Sequence, residues 1–231
     1  GHWVEWLPGL YSLSSTLVMP DSSDCIIRAE GSHLSGPSSE TAVIIRGMNR
    51  CDYRFGIIAC GSENPDSAAL KINPSSSMPA IKSYVGYTGL HGKNTKGSGL
   101  YIVADSADVL WNEFVGTNIQ HFSRGILVDA TAPNICSENS FWVSYIIFVD
   151  GCIQVKSNNV QKSIWNVNIE AWNHDSFSIQ TAGCYERWGV ILGTADWFFR
   201  PGVSKTRSLI LDPGAKFNVF EFRPAIEDFA P

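Results

Sequence analysis

Phe141-Trp142-Val143-Ser144-Tyr145-Ile146-Ile147-Phe148-Val149-Asp150-Gly151-Cys152-Ile153-Gln154-Val155 lies without a gap on the stretch 24 positions further along, Trp165 to Ile179. Phe141 falls on Trp165, Val143 on Val167, Tyr145 on Ile169, Ile147 on Ala171, Ile153 on Phe177 and Val155 on Ile179. The alternating set stays mainly apolar in both copies, with a break where Val149 meets Asn173. Sliding back 26 or 27 positions finds a third copy, in which Val115–Ile119 precedes Arg124–Val128. A weaker fourth copy begins at Trp188-Gly189-Val190-Ile191-Leu192. Repeats of this length, each holding two or three short strands, are those of a β-solenoid, in which one coil cannot bury its inward residues alone. A β-sandwich or jelly roll also has many short strands, but no reason to repeat its pattern at a constant offset.

The rest of the 231 residues agrees with an all-β chain. Helical periodicity is almost absent, and runs such as Ala42–Arg46, Gly56–Ala59, Leu100–Val103 and Ser208–Leu211 are bounded by Gly, Pro, Ser, Asn and Asp. The opening coil, Gly9-Leu10-Tyr11-Ser12-Leu13-Ser14-Ser15-Thr16-Leu17-Val18-Met19-Pro20, is followed by Cys25-Ile26-Ile27-Arg28-Ala29-Glu30-Gly31-Ser32. It resembles the first coils of right-handed parallel β-helix proteins of the pectate-lyase-like superfamily. Those carry a G-x-Y-x-L-x-x-T-L-x-x-P coil and then an I-x-G-x-G type turn, where this chain has Arg28-Ala29-Glu30-Gly31. The resemblance implies a right-handed parallel β-helix with long loops on one face. The superfamily contains lyases, hydrolases, epimerases, phage tailspikes and inert adhesins, so its chemistry does not carry over with its fold.

On this reading residues 1–231 form one domain: N-terminal coils over 1–63, a loop-rich insertion over 64–99, central coils over 100–195, and a C-terminal cap or interface over 196–231. The insertion rests on Asn73–Pro79 and His91–Gly97, both rich in Ser, Pro, Gly, Asn and Lys. The chain opens on Gly1-His2, as expected of a processed chain or a fragment.

Composition excludes several classes. Charged residues make up 17% of the chain, against roughly 25% in ordinary soluble domains, so the surface draws its polarity from Ser, Asn, Thr and Gly. The net charge is −5 and no Lys/Arg cluster stands out, which argues against a nucleic-acid partner. No apolar run approaches the ~18 residues of a membrane span, so no membrane insertion is expected. G-x-S-x-G, H-E-x-x-H, phosphate-loop and dinucleotide motifs are missing, and no cofactor is expected. Six cysteines show neither CxxC nor zinc-finger spacing. They are expected to be mostly reduced, with Cys51 and Cys60, which flank one strand, the first pair to test. Asp105, Asp108 and Glu113 offer oxygen ligands of the kind Ca²⁺ takes, but fit no calcium motif; a solvated surface is expected there and no metal site.

The repeat alignment puts Arg124, Asp150 and His174 at equivalent places in three coils, with Asp175 beside His174. Strands ~4.8 Å apart would bring them into one column, serving either as an ion-pair ladder or as a site. A carboxylate beside an imidazole suits proton transfer. The candidate catalytic residues are therefore Asp150, His174, Asp175 and Glu170. Arg124 and the outward Trp142 and Trp172 are the candidate substrate-binding residues, since an indole offers a flat apolar face to a sugar ring or a subunit. The C-terminal aromatics Phe198, Phe199, Phe220 and Phe222 cap the last coil or meet another subunit. The expected function is a viral or phage tailspike-like surface protein that engages a host polysaccharide, located on the virion surface or secreted. The alternatives are a secreted polysaccharide lyase or hydrolase and a purely structural virion or adhesin component. The resemblance to tailspikes implies a homo-oligomer, a trimer.

Overall fold

A computed structural model describes residues 2–147, 151–170, 177–192 and 207–224. The chain is all-β, a parallel solenoid of about seven turns, with no helix among the described residues. Each turn passes through four strand segments. In one of them Asp52–Cys60 supplies the first two, bending at Gly56; Ala68–Ile72 is the third and Ala80–Ile81 the fourth. The bend requires glycine, because a Cβ at Gly56 would sit 2.1 Å from the Ser32 carbonyl oxygen of the previous turn.

Alternation sends every second residue inward, and parallel pairing stacks like on like. On the first face Ile27, Tyr53, Val85, Phe114, Phe141, Trp165, Trp188 and Phe220 are in register. The last five form a continuous ring stack, with centroids 5.1, 3.9, 4.6 and 5.6 Å apart and planes within 18° of parallel. On the second face Leu34, Ile58, Leu90, Ile119, Ile146 and Ile169 make an aliphatic column with no exposed surface. The third stacks Val43, Leu70, Leu100, Ile126, Ile153 and Ile179, and the fourth Met48, Ala80, Val109, Cys136 and Val160. All six cysteines are buried free thiols, and Cys51 and Cys60 sit at opposite ends of one extended strand.

A polar ladder fixes the corner that enters the first face. Asp24, Arg50, Lys82, Trp111, Glu138, Lys162, Tyr185 and Phe217 all hold φ between 49° and 59°, the left-handed region that costs a non-glycine residue ~1–2 kcal/mol. In several turns the next residue offsets that cost. Asn112 Oδ1 accepts from the Ser83 N–H at 3.0 Å, and Asn139 Oδ1 from the Asn112 N–H at 2.9 Å. Asn218 Oδ1 accepts from the Glu186 N–H at 2.9 Å. The Asn112, Asn139 and Asn218 amides donate back to the carbonyls of Ala80, Val109 and Gly183 at 2.8–3.0 Å. Outside the corner, the left-handed residues pair with one another: Arg50 clamps Asp24 through two bonds of 2.7 Å, Lys82 lies over Trp111, the Trp111 indole N–H donates to Glu138, and Tyr185 stacks on Phe217.

Two expectations change. Residues 64–99 are not an insertion of loops: they supply Ala68–Ile72, Ala80–Ile81 and most of the long strand Tyr84–Ala104. The polar run His91–Gly97 is the corner between second and third faces, marked by two register shifts, so its Gly, Lys and Asn serve a turn within a strand. The gapless 24-residue alignment also holds only over the first face. Phe141 and Val143 pair with Trp165 and Val167, but then Ile146, not Tyr145, meets Ile169, and Ile153 meets Ile179. Tyr145 is on the outside, 38% exposed. Two differences cause this: one extra residue at the bend between Val143 and Ile146 shifts the second face, and a longer stretch of sequence from Glu170 to Phe177 than from Ile147 to Gly151 shifts the third.

Replacing Ile169, with no exposed surface, by Ala should cost ~2–5 kcal/mol, whereas Tyr145→Ala should cost less than about 1 kcal/mol; urea unfolding of both variants checks the register. A second test concerns Glu186, which occupies an asparagine position of the ladder with no exposed surface. Its carboxylate accepts from Trp165 Nε1 at 2.6 Å and from the Ser163 N–H at 3.4 Å. Burial pushes its pKa up to about 7, against the two hydrogen bonds that lower it. The folded state therefore holds this proton when the unfolded chain has lost it. The stabilisation is complete below an ordinary glutamate pKa and is lost as pH rises through about 7. The stability of wild type minus that of Glu186→Gln should fall by roughly 3 kcal/mol across that window and be flat on either side.

Candidate functional site

The bend between the first and second faces is concave on the outside, and in the later turns it opens into a groove of about 500 Å³. Four successive turns line it with the same three positions: Val115–Thr117, Trp142–Ser144, Asn166–Asn168 and Gly189–Ile191, with Glu221 from the turn after. The arrangement follows from strand phase. Phe141 and Val143 point inward, so Trp142 and Ser144 must point out; the same holds for Asn166 and Asn168 around Val167.

The Trp142 indole is 47% exposed. Asn166 stands opposite it on the next strand, and Gly189 beyond leaves room for that amide, since a Cβ there would meet Asn166 Oδ1 at 2.9 Å. Asn168 keeps its Oδ1 buried without a hydrogen-bond partner among the described residues. Thr117 and Ser144 add exposed hydroxyls in the line of the bend. Among the described lining residues Glu221 is the single carboxylate and there is no cation. Toward the N-terminus the same outward column is charged. Arg28 and Arg54 both bind Asp52, at 2.8 and 3.0 Å, and Arg54 lies over the Tyr84 ring. Burial alone would raise the Asp52 pKa, but the two guanidiniums hold it below the ordinary carboxylate range.

Of the residues singled out in the sequence, Trp142 is the one that the structure places in this groove. Arg124 is on the third face, opposite Gly151, which in turn pairs with Phe177; its guanidinium donates to the Pro65 carbonyl at 3.4 Å. Glu170 ends the strand Ile164–Glu170, its backbone opposite Ile147. Asp150, Trp172, His174 and Asp175 lie outside the described residues, as do Phe198 and Phe199. Phe220 packs on Trp188 and closes the ring stack, and Phe222 pairs by its backbone with Val190. Asp108 Oδ1 accepts from the Ile135 N–H at 2.9 Å, which gives that carboxylate a structural partner. The described residues contain no group of three or more His, Cys, Asp or Glu placed to hold a metal ion.

Sequence reasoning missed the groove's amides, Asn166 and Asn168, because it looked for titratable groups. The signal was present: both are polar residues flanking inward Val167, one and three positions after the Trp165 that matches Phe141. No family model, no curated protein and no solved structure matches the chain.

Proposed function

We propose that this chain is a glycan-engaging surface protein of the tailspike-like kind, and that the groove at the first bend is where the glycan lies. The observation that carries this reading is the half-exposed Trp142 indole set among the amide and hydroxyl groups of Thr117, Ser144, Asn166 and Asn168, which three successive turns bring into one groove. A sugar ring offers an apolar face for the indole and hydroxyls for Asn166, Asn168, Thr117 and Ser144. A groove built from stacked identical positions suits a ligand that is itself a repeating chain. Binding is favoured over cleavage here, because hydrolysis by the common route takes two carboxyl groups ~5–10 Å apart and the described lining residues supply Glu221 alone. On a virion surface or in a secreted protein the same groove would serve host recognition.

Assembly belongs to this proposal. Tyr185, Phe217, Val219 and Leu211, on the last turns, are between 51% and 71% exposed. A concentration of exposed apolar side chains at one end of a solenoid suits a contact with another copy, and a trimer is the form expected from the tailspike resemblance.

A panel of polysaccharides tests the function directly. Trp142→Ala should weaken retention of the glycan at least about tenfold, or ~1.4 kcal/mol, with an unchanged melting temperature; equal binding by wild type and variant would refute the reading. Release of oligosaccharides, or the absorbance of unsaturated uronates, would replace binding with catalysis as its activity. For assembly, light scattering at micromolar concentration should give three times the chain mass, and Phe217→Ser with Val219→Ser should give the monomer. A wild-type monomer would refute the trimer.

A further inference from the structure

A second hollow, of about 380 Å³, opens on the second face of the early turns, away from Trp142. Its construction follows from register. Ser12, Ser35, Ala59, His91 and Gln120 are consecutive members of one outward column, and Leu10 and His33 belong to the neighbouring one. Ala59 is the small member, so the column dips between Ser35 and His91, and Lys93 closes one side. The His91 ring lies over Gly89, whose added Cβ would meet His91 Nε2 at 2.7 Å.

The hollow is lined by donors. Two imidazoles, an ammonium and two serine hydroxyls face it, and among the described residues no carboxylate does. Gln120 uses its Oε1 to accept from Asn118 Nδ2 at 3.3 Å, which presents its NH₂ end as a further donor. That is the reverse of the chain as a whole, whose net charge is −5. Tyr11, also in the lining, donates its hydroxyl to the Leu7 carbonyl at 2.7 Å. Around His91 the titratable groups are Tyr11 on the strand Gly9–Ser12, His33 on Ile26–Ser35, Lys93 on its own strand and His121 on Glu113–Ala130. The strand Asp52–Cys60 contributes Ala59 to the lining, and its Cys60 is buried. Burial, and then the His33 and His121 imidazoles, hold His91 below the ordinary imidazole range.

We propose that this hollow is a binding site for an oxyanion group, sulfate or phosphate, carried free or on a single sugar, with His33, His91, Lys93 and Gln120 as its donors. Its volume is within the range of small-ligand sites, ~300–1,000 Å³. Entry of the anion places a counter-charge beside His91, so binding favours its protonated form and strengthens as pH falls.

Histidine resonances followed by NMR, with inorganic sulfate, inorganic phosphate, glucose 6-phosphate, glucose 6-sulfate and plain glucose as probes, test this. The His91 and His33 signals should titrate with the anions, not with glucose, and roughly tenfold more tightly near pH 5.5 than near pH 7.5. Tighter binding of the sugar esters identifies a sugar-borne group as the source; equal binding identifies the free ion. His91→Gln with Lys93→Gln should abolish the response, and Ala59→Leu, which fills the dip and leaves every donor in place, should do the same. Trp142→Ala should leave it intact, which separates this site from the groove. The proposal is overturned if no histidine signal moves with any anion, if glucose moves them equally, or if the response survives both the double variant and Ala59→Leu.

Discussion

At five of the left-handed corners the residue that follows holds one turn against the next. Ser83, Asn112, Asn139, Glu186 and Asn218 each take a backbone N–H from the previous turn; Ser83 does so through its hydroxyl, to Cys51 N–H at 3.0 Å. Without that acceptor the corner would leave a buried donor unpaired, at a cost of about 1–3 kcal/mol. In every described turn the first face starts two residues after the corner. The ring stack from Phe114 to Phe220 depends on this, because rings meet face to face only if every turn begins in phase. Stability in such a molecule is a sum over neighbouring turns, and the ladder lies at the point where each turn is committed to the next.

Part of this was legible in the residues. Alternation around Phe141 and Trp165 gave the inward phase correctly, and with it the outward position of Trp142. The corner was legible too but went unread: Asn112-x-Phe114, Asn139-x-Phe141, Ser163-x-Trp165, Glu186-x-Trp188 and Asn218-x-Phe220 repeat one polar residue and one ring at fixed spacing. What pattern matching could not supply was the register past the first face. One extra residue at the bend between Val143 and Ile146 means that a fixed offset carries Tyr145 onto Ile169 when Ile146 belongs there.

The two hollows were hidden for a different reason. Each exists because outward residues from several turns stand in line, and the line depends on the register of every turn between them. His33 and His91 are two turns apart, and nothing in their local sequence couples them; the dip between them is made by Ala59, an unremarkable residue in its own strand. Function in this fold is written across the turns, whereas sequence is written along them.

From the left-handed corner to the end of the first face the chain has the same length in every turn, from Asp24–Ala29 to Tyr185–Val190. The corners between other faces vary freely. Two of the three positions that each turn gives the Trp142 groove lie on this constant part, so insertions in the other corners leave the spacing of its strands unchanged. The groove can be lengthened or shortened only by gaining or losing a whole turn, which changes its span in steps of about 4.8 Å. The molecule is in that sense a ruler with fixed divisions, and duplicating a turn is the way such a surface would come to hold a longer chain.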